Sequence, residues 1–180
     1  MRIVSGKHRG RRIDPPANFK ARPTTDFAKE NLFNVLNNLV DFEELSVLDL
    51  FSGTGGVSYE FLSRGCKDLV LVENDFHHFQ FIQKCIKDLK ETPKTLTLNM
   101  DAFKFLKTTE RKFDMIFADP PYSLADIMSI PDIIFERDIL NPDGTFVFEH
   151  SSEYDFSQNP HFSQMRKYGS VHFSIFHRPT

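Results

Sequence analysis

The chain has 180 residues, 40% of them hydrophobic and 26% charged, which suits one ordinary globular domain and argues against a disordered chain. No apolar run nears the roughly 18 residues of a membrane span, and the opening MRIVSGKHRGRR has charge without a signal-peptide apolar stretch. A single-domain, monomeric, cytoplasmic protein is expected. The net charge of −3 hides an asymmetry: the first 29 residues hold eight basic groups against Asp14 and Asp26, a balance of +6, which leaves −9 for the rest. A basic N-terminal arm over residues 1–24 on an acidic body attracts phosphates locally, because screening confines each charge to about 10 Å. Its plain alternative is a solvated charged face. Two cysteines, Cys66 and Cys85, make no disulfide framework, and no ligand cluster near them completes a zinc site, so no metal is expected.

Pro15-Pro16 and Arg22-Pro23 interrupt regular structure, after which Thr24 or Thr25 caps a helix. Ala28, Leu32, Val35, Leu36 and Leu39 recur on its inner face, and it is expected to run to about Asp41. Short apolar runs then alternate with helical stretches. Strands are expected at Val47 to Phe51, Leu69 to Glu73, Thr95 to Asn99, Phe113 to Ala118 and Thr145 to Glu149. Helices are expected at about Gly55 to Arg64, Asp75 to Lys90, Ala102 to Lys107 and Leu124 to Asp138, with Phe79, Ile82, Ile86 and Leu89 as an inward stripe. This alternation indicates an α/β fold with a mainly parallel sheet and helices on both faces. Gln164 to Tyr168 and Val171 to Phe176, around Gly169-Ser170, read as a terminal antiparallel hairpin.

Three places carry chemistry. The strand ending in Asp49, Phe51, Ser52, Gly53 and Gly55 runs through a glycine-rich turn into a helix, which lets the backbone approach a ligand. A dinucleotide fingerprint is incomplete there, since Ser58 stands where the third glycine belongs, and Asp49 suits a cationic amino group better than a pyrophosphate. Glu73, at the end of the next strand, has the position of a ribose-binding carboxylate. Asp101, followed by Ala102, either reads an adenine amino group or caps a helix. The third place is Asp119-Pro120-Pro121-Tyr122. Its prolines remove backbone donors, so Asp119 and the Pro120 carbonyl present acceptors suited to an NH₂ group, and Tyr122 offers a face on which a base can stack.

The combination of the glycine turn with Asp119-Pro120-Pro121-Tyr122 resembles the class I S-adenosylmethionine-dependent methyltransferases that modify exocyclic amines. More narrowly, Ser5-Gly6-Lys7, Arg9-Gly10-Arg11, Arg22-Pro23-Thr24-Thr25-Asp26, Lys29-Glu30, Leu48 to Gly53, Leu62 to Gly65 and Tyr168-Gly169 resemble the RsmD family of 16S ribosomal RNA guanine-N2 methyltransferases. His8 departs from that pattern, where the family has tryptophan. The resemblance implies a Rossmann-like, seven-stranded sheet and S-adenosylmethionine held by Asp49, Phe51, Ser52, Gly53, Gly55, Glu73, Asn74, Asp101 and Ala102. It further implies catalysis by Asp119, Pro120, Pro121 and Tyr122, and 16S ribosomal RNA or the small-subunit particle as partner, met by Lys7, Arg9, Arg11, Arg12, Arg22 and Thr24. A DNA adenine-N6 methyltransferase, an inactive RNA-binding module and a nicotinamide dehydrogenase are the rival readings. His77, His78 and His150 are expected to be surface or packing residues, and Glu149 either faces the cleft or is solvated.

Overall fold

Alternating side chains along near-continuous apolar strands bury both faces of one sheet. The computed structural model describes residues 1–19 and 24–180. Strands β1 (Ser46–Leu50), β2 (Asp68–Val72), β3 (Thr95–Leu98), β4 (Phe113–Ala118), β5 (Leu140–His150), β6 (Phe162–Tyr168) and β7 (Val171–His177) form a seven-stranded sheet in the order β3-β2-β1-β4-β5-β7-β6. β1 to β5 pair in parallel, and β7 lies antiparallel between β5 and β6. This is the expected Rossmann-like, mainly parallel architecture with a C-terminal antiparallel hairpin.

Side-chain parity sets two cores. Val47, Leu69, Leu71, Met115, Phe117 and Val147 face one way, onto α1 (Asp26–Leu36), α2 (Gly56–Ser63) and α3 (Phe76–Asp88). Leu48, Val70, Ile116, Phe146 and Phe148 face the other, onto α4 (Ala102–Thr108) and α5 (Ile130–Glu136). The connections run outward from β1 to β3 on one side and from β4 to β5 on the other. β1 and β4 therefore flank the point where strand order reverses, the usual crevice for ligands in such sheets.

Several expected boundaries move. The helix expected over Leu124 to Asp138 starts only at Ile130, after a 3-10 turn at Ile127–Ser129, because Pro131 lacks a backbone donor and fits only a first helical turn. α1 stops at Leu36, so Leu39 is exposed rather than on the inner face. β5 begins at Leu140, ahead of the expected Thr145, and its pairing with β4 is irregular between Phe113 and Met115. In α3 the inward positions include His78, which is buried, while Phe79 is only half-buried.

The basic N-terminal segment is docked rather than loose. Residues 1–13 fold back on themselves through an Arg2–Arg12 bridge, and Ile3 and Ile13 enter the core. Val4 and Ser5 donate their backbone N–H groups to the two carboxylate oxygens of Glu60, at 2.9 and 3.1 Å. Met1 Sδ lies against Gly56 at the start of α2, and Lys7 N–H donates to the Ser63 carbonyl at its end. Gly6 packs on that carbonyl so closely that a β-carbon would overlap it, and its φ of +86° is a left-handed conformation. The segment thus spans the length of α2. Lys29, one of the eight basic groups near the N-terminus, is only 2% exposed, donating to the Arg2 carbonyl at 2.5 Å and pairing with Glu60 at 3.4 Å.

Candidate active site at the carboxyl ends of β1, β2, β4 and β5

Parity also gathers the acidic residues. Asp49 on β1, Glu73 one residue past β2, Asp119 one past β4 and Glu149 on β5 all continue the face marked by Val47, Leu71, Phe117 and Val147. The parallel register aligns Leu50 with Val72 and Ala118, and Ala118 with Phe148, so all four carboxylates lie near one end of the sheet.

The glycine turn is held by side chains on every side. Phe51, Gly53 and Gly55 have φ of 56°, 58° and 87°, and Gly55, just before α2, has its Cα so near Tyr59 that a β-carbon would lie 2.5 Å from the Tyr59 hydroxyl. That hydroxyl donates to the Thr54 carbonyl at 2.7 Å, fixing the middle of the turn. Ser52 Oγ donates to the Asp49 carbonyl at 2.8 Å. Glu73 bridges two loops, accepting from Gly53 N–H at 2.8 Å and Asp75 N–H at 2.9 Å, and each carboxylate oxygen keeps further acceptor capacity. His78 Nδ1 lies 3.6 Å from Glu73 Oε2, so this histidine packs behind the carboxylate.

Asp49 is 1% exposed. Ser58 Oγ donates to its Oδ2 at 2.6 Å, whereas Oδ1 is buried with no hydrogen-bond partner among the described residues. Burial lifts the Asp49 carboxyl to about 7; the Ser58 bond opposes this, and the nearby charges of Glu73 and Glu149 reinforce it. A carboxyl whose folded value lies above its unfolded one stabilises the fold fully below the unfolded value, and that contribution disappears as pH rises through the folded one. The Asp49 contribution to stability is therefore expected to fall between about pH 4 and about pH 7, with a slope of at most about 1.4 kcal/mol per pH unit, read by calorimetric melting of the free protein. Asp49→Asn should flatten it; an unchanged slope would remove Asp49 as its source.

Across the reversal point stands Asp119, followed by buried Pro120 and by the exposed Pro121 and Tyr122. The Pro121 carbonyl accepts from Leu124 N–H at 3.0 Å, which turns the chain sharply away from the sheet. Asp119 neighbours Glu149 across the β4–β5 pairing, and burial together with the Glu149 charge drives the Asp119 carboxyl well above the ordinary carboxylate range. Glu149 is 5% exposed, not solvated, and accepts from Thr24 Oγ1 at 2.9 Å. Thr25, rather than Thr24, caps α1 by accepting from Ala28 N–H. Thr24 is thus left for the site.

The adenine-side candidates divide. Asp101 caps α4, accepting from Lys104 N–H at 3.0 Å, the plainer of its two readings. Ala102 is buried, and Asn74 is exposed with its carbonyl accepting from Asn99 Nδ2 at 3.0 Å, which ties the loops after β2 and β3 together. Phe103, not anticipated from sequence, meets the Phe51 ring edge-on at 6.4 Å. Among the basic candidates, Arg9, Arg11 and Arg12 are exposed. Lys7 is already paired with Glu91 at 2.5 Å, and His8 bonds the same oxygen at 2.8 Å, at the opposite end of the sheet from Asp119. Arg22 lies outside the described residues. His150 bonds Ser174 Oγ at 2.7 Å and is a packing residue. Among the described residues no group of His, Cys, Asp and Glu could hold a metal ion, and no helix is long and apolar enough to cross a membrane.

The chain is similar to proteins of known relationship along nearly its whole length. Residues 1–177 match the family model described as conserved hypothetical protein 95. The ribosomal RNA small subunit methyltransferase D of Haemophilus influenzae is 30% identical over 152 residues, covering 83% of this chain and 78% of its own. The solved structure of yhhF from Escherichia coli superposes with a TM-score of 0.86 at 25% identity, covering 99% of this chain and 98% of that one. The Thermus thermophilus 16S rRNA N2 G1207 methyltransferase RsmC, solved with AdoMet and guanosine, shares the fold with a TM-score of 0.71 at 21% identity, over 89% of this chain and 45% of that one. The match over residues 1–177 spans both the docked basic segment and the four-carboxylate site, and the chain belongs to the conserved hypothetical protein 95 family, the RsmD-type methyltransferases.

Proposed function

We propose that this protein, acting as a monomer in the cytoplasm, transfers a methyl group from S-adenosylmethionine to the exocyclic N2 amine of a guanine in 16S ribosomal RNA. The observation that carries this reading is the buried, unpartnered Oδ1 of Asp49 beside the glycine turn, across the strand-order reversal from Asp119-Pro120-Pro121-Tyr122. A lone buried carboxylate oxygen fits the ammonium of an amino-acid moiety, and Glu73 retains acceptor capacity for ribose hydroxyls. Ala102, Asn74 and the Phe51–Phe103 pair would flank the adenine. S-adenosylmethionine supplies, when bound, an electrophilic methyl group on a sulfonium. Asp119 and the Pro120 carbonyl accept the amine protons, orient the nitrogen lone pair and concentrate electron density on it, so most of the acceleration comes from positioning and electrostatics. A small-subunit ribosomal RNA target is supported by the name of the Haemophilus relative, and guanine N2 of 16S RNA is what membership in the RsmD-type family implies.

The test is to incubate the protein with labelled S-adenosylmethionine and, separately, naked 16S RNA, small-subunit particles, transfer RNA and DNA, then to digest and identify the methylated nucleoside. N2-methylguanosine from 16S RNA is the expected product. N6-methyladenine from DNA without labelled guanine in any RNA would overturn the reading.

RNA docking falls to the exposed basic residues. Every phosphate that Arg9, Arg11 or Arg12 no longer neutralises is expected to lower the salt slope of RNA binding by about 0.7–0.9, uniformly across sequences, while cofactor affinity stays constant. Lys7 is left out because Glu91 already neutralises it. Changing the three arginines to serine and titrating RNA at several salt concentrations checks this. Wild-type binding at every salt concentration would make the segment a solvated face.

A further inference from the structure

Two carboxyl groups placed side by side away from water resist ionising together, because like charges repel strongly there. Asp119 and Glu149 stand side by side: the β4–β5 register aligns Ala118 with Phe148, and the next residue of each chain segment continues the same face of the sheet. Glu149 is held there by Thr24 Oγ1 at 2.9 Å and by burial to 5% exposure. Opposite it on β7 stands Phe173, which is uncharged, while Asp49 on β1 adds a further acidic charge beside Asp119, and Glu149 and Glu73, one residue past β2, each add one beside Asp49. The arrangement disfavours two full charges on Asp119 and Glu149 and favours one charge and one proton between them.

We propose that Glu149 is a positioning residue for methyl transfer: it shares one proton with Asp119, fixes that carboxylate toward the target amine, and lets the pair take up the proton released by the nitrogen. The inference rests on the proposed methyl transfer and deepens it. As the N–CH₃ bond forms and the S–CH₃ bond breaks, the sulfur keeps the bonding electron pair. The nitrogen then loses a proton as its N–H bond breaks and an O–H bond forms on the pair, which passes from singly to doubly protonated and returns the proton to water. When the pair is fully ionised, like charges repel and Asp119 loses its fixed direction. When it is fully protonated before reaction, the acceptor is gone. Turnover should therefore have both an acid and an alkaline limb belonging to the pair rather than to either residue.

Two measurements test this. Carbon-13 NMR of labelled carboxyl groups in the free protein should give Asp119 and Glu149 resonances that move together in two steps, replaced in Glu149→Gln by a single Asp119 step at lower pH. This arm needs no substrate, so it stands even if the protein methylates no RNA, an outcome that would sink the proposed function alone. Independent single-step titrations of the two residues would overturn the shared proton. In pH–rate profiles, Glu149→Ala should lower kcat by about 10-fold or more with little change in KM for the cofactor, and Glu149→Gln should restore most of it while losing the alkaline limb. Should Glu149→Ala fail to fold, Thr24→Val removes only the hydroxyl donor to Glu149 and should move the alkaline limb to higher pH. An alkaline limb unmoved in both Glu149→Gln and Thr24→Val would overturn the proposal.

Discussion

Replacing Asp119 with alanine is expected to lower turnover by about 10²-fold or more while cofactor affinity stays within a few-fold of wild type. The separation follows from position. The turn from Asp49 to Gly55 and the Glu73 bridge are built from β1, α2 and β2 and make none of their hydrogen bonds to Asp119. Asp119 instead lies one residue past β4, on the other side of the reversal point, followed by buried Pro120 and exposed Tyr122. Loss of its carboxylate removes an acceptor used on the reacting amine and leaves Glu149 without the partner that shares its proton. Single-turnover kinetics with calorimetric titration of cofactor separates the two effects. Near-normal turnover would take Asp119 out of the mechanism, and an equal loss of cofactor affinity would assign it to binding.

Glu60→Ala is expected to have the largest effect on stability, roughly 3–5 kcal/mol, equivalent to a melting shift of about 6–20 °C. Glu60 is fully buried, and its carboxylate accepts from Val4 N–H, Ser5 N–H and Arg64 Nε, with Lys29 Nζ at 3.4 Å. Alanine would leave a buried ammonium with only the more distant Asp26, at 3.9 Å, as anion and two backbone donors without acceptors, the costly way to break a buried pair. Because those donors belong to the basic segment, residues 1–13 should lose protection from proteolysis before the sheet does. Thermal melting of the variant, with limited proteolysis followed by mass spectrometry, measures both. A melting temperature unchanged from wild type would mean that the segment is not anchored through Glu60.

The parts of the fold legible in the sequence were those with a local cause. Phe113 to Ala118 is apolar at every position but Asp114 and forms β4 over those same residues. Gly53 and Gly55 announced a turn because left-handed backbone excludes most other residues there, and both adopt it. Pro131 carried a local signal too, yet helical periodicity around it outweighed the missing donor in the reading of Leu124 to Asp138 as one helix.

The candidate site was legible to the same extent and no further. Asp49, Glu73 and Asp119 stand at strand ends, where spacing and the following glycine or proline mark them. Glu149 is also at a strand end but carries no such neighbour, so nothing local separates it from a solvated carboxylate. Its role appears only when β5 pairs with β4 and α1 brings Thr24 within 2.9 Å. Likewise a lysine at 29 and a glutamate at 60 look like surface charges until α1 and α2 close over both. Residue type and order determined the strands, the turn and the acceptors offered to a ligand, because these depend on neighbours along the chain. Protonation, pairing and burial of the acidic and basic groups were decided by the tertiary structure, since the solvent each charge loses and the partner it gains come from segments distant in sequence.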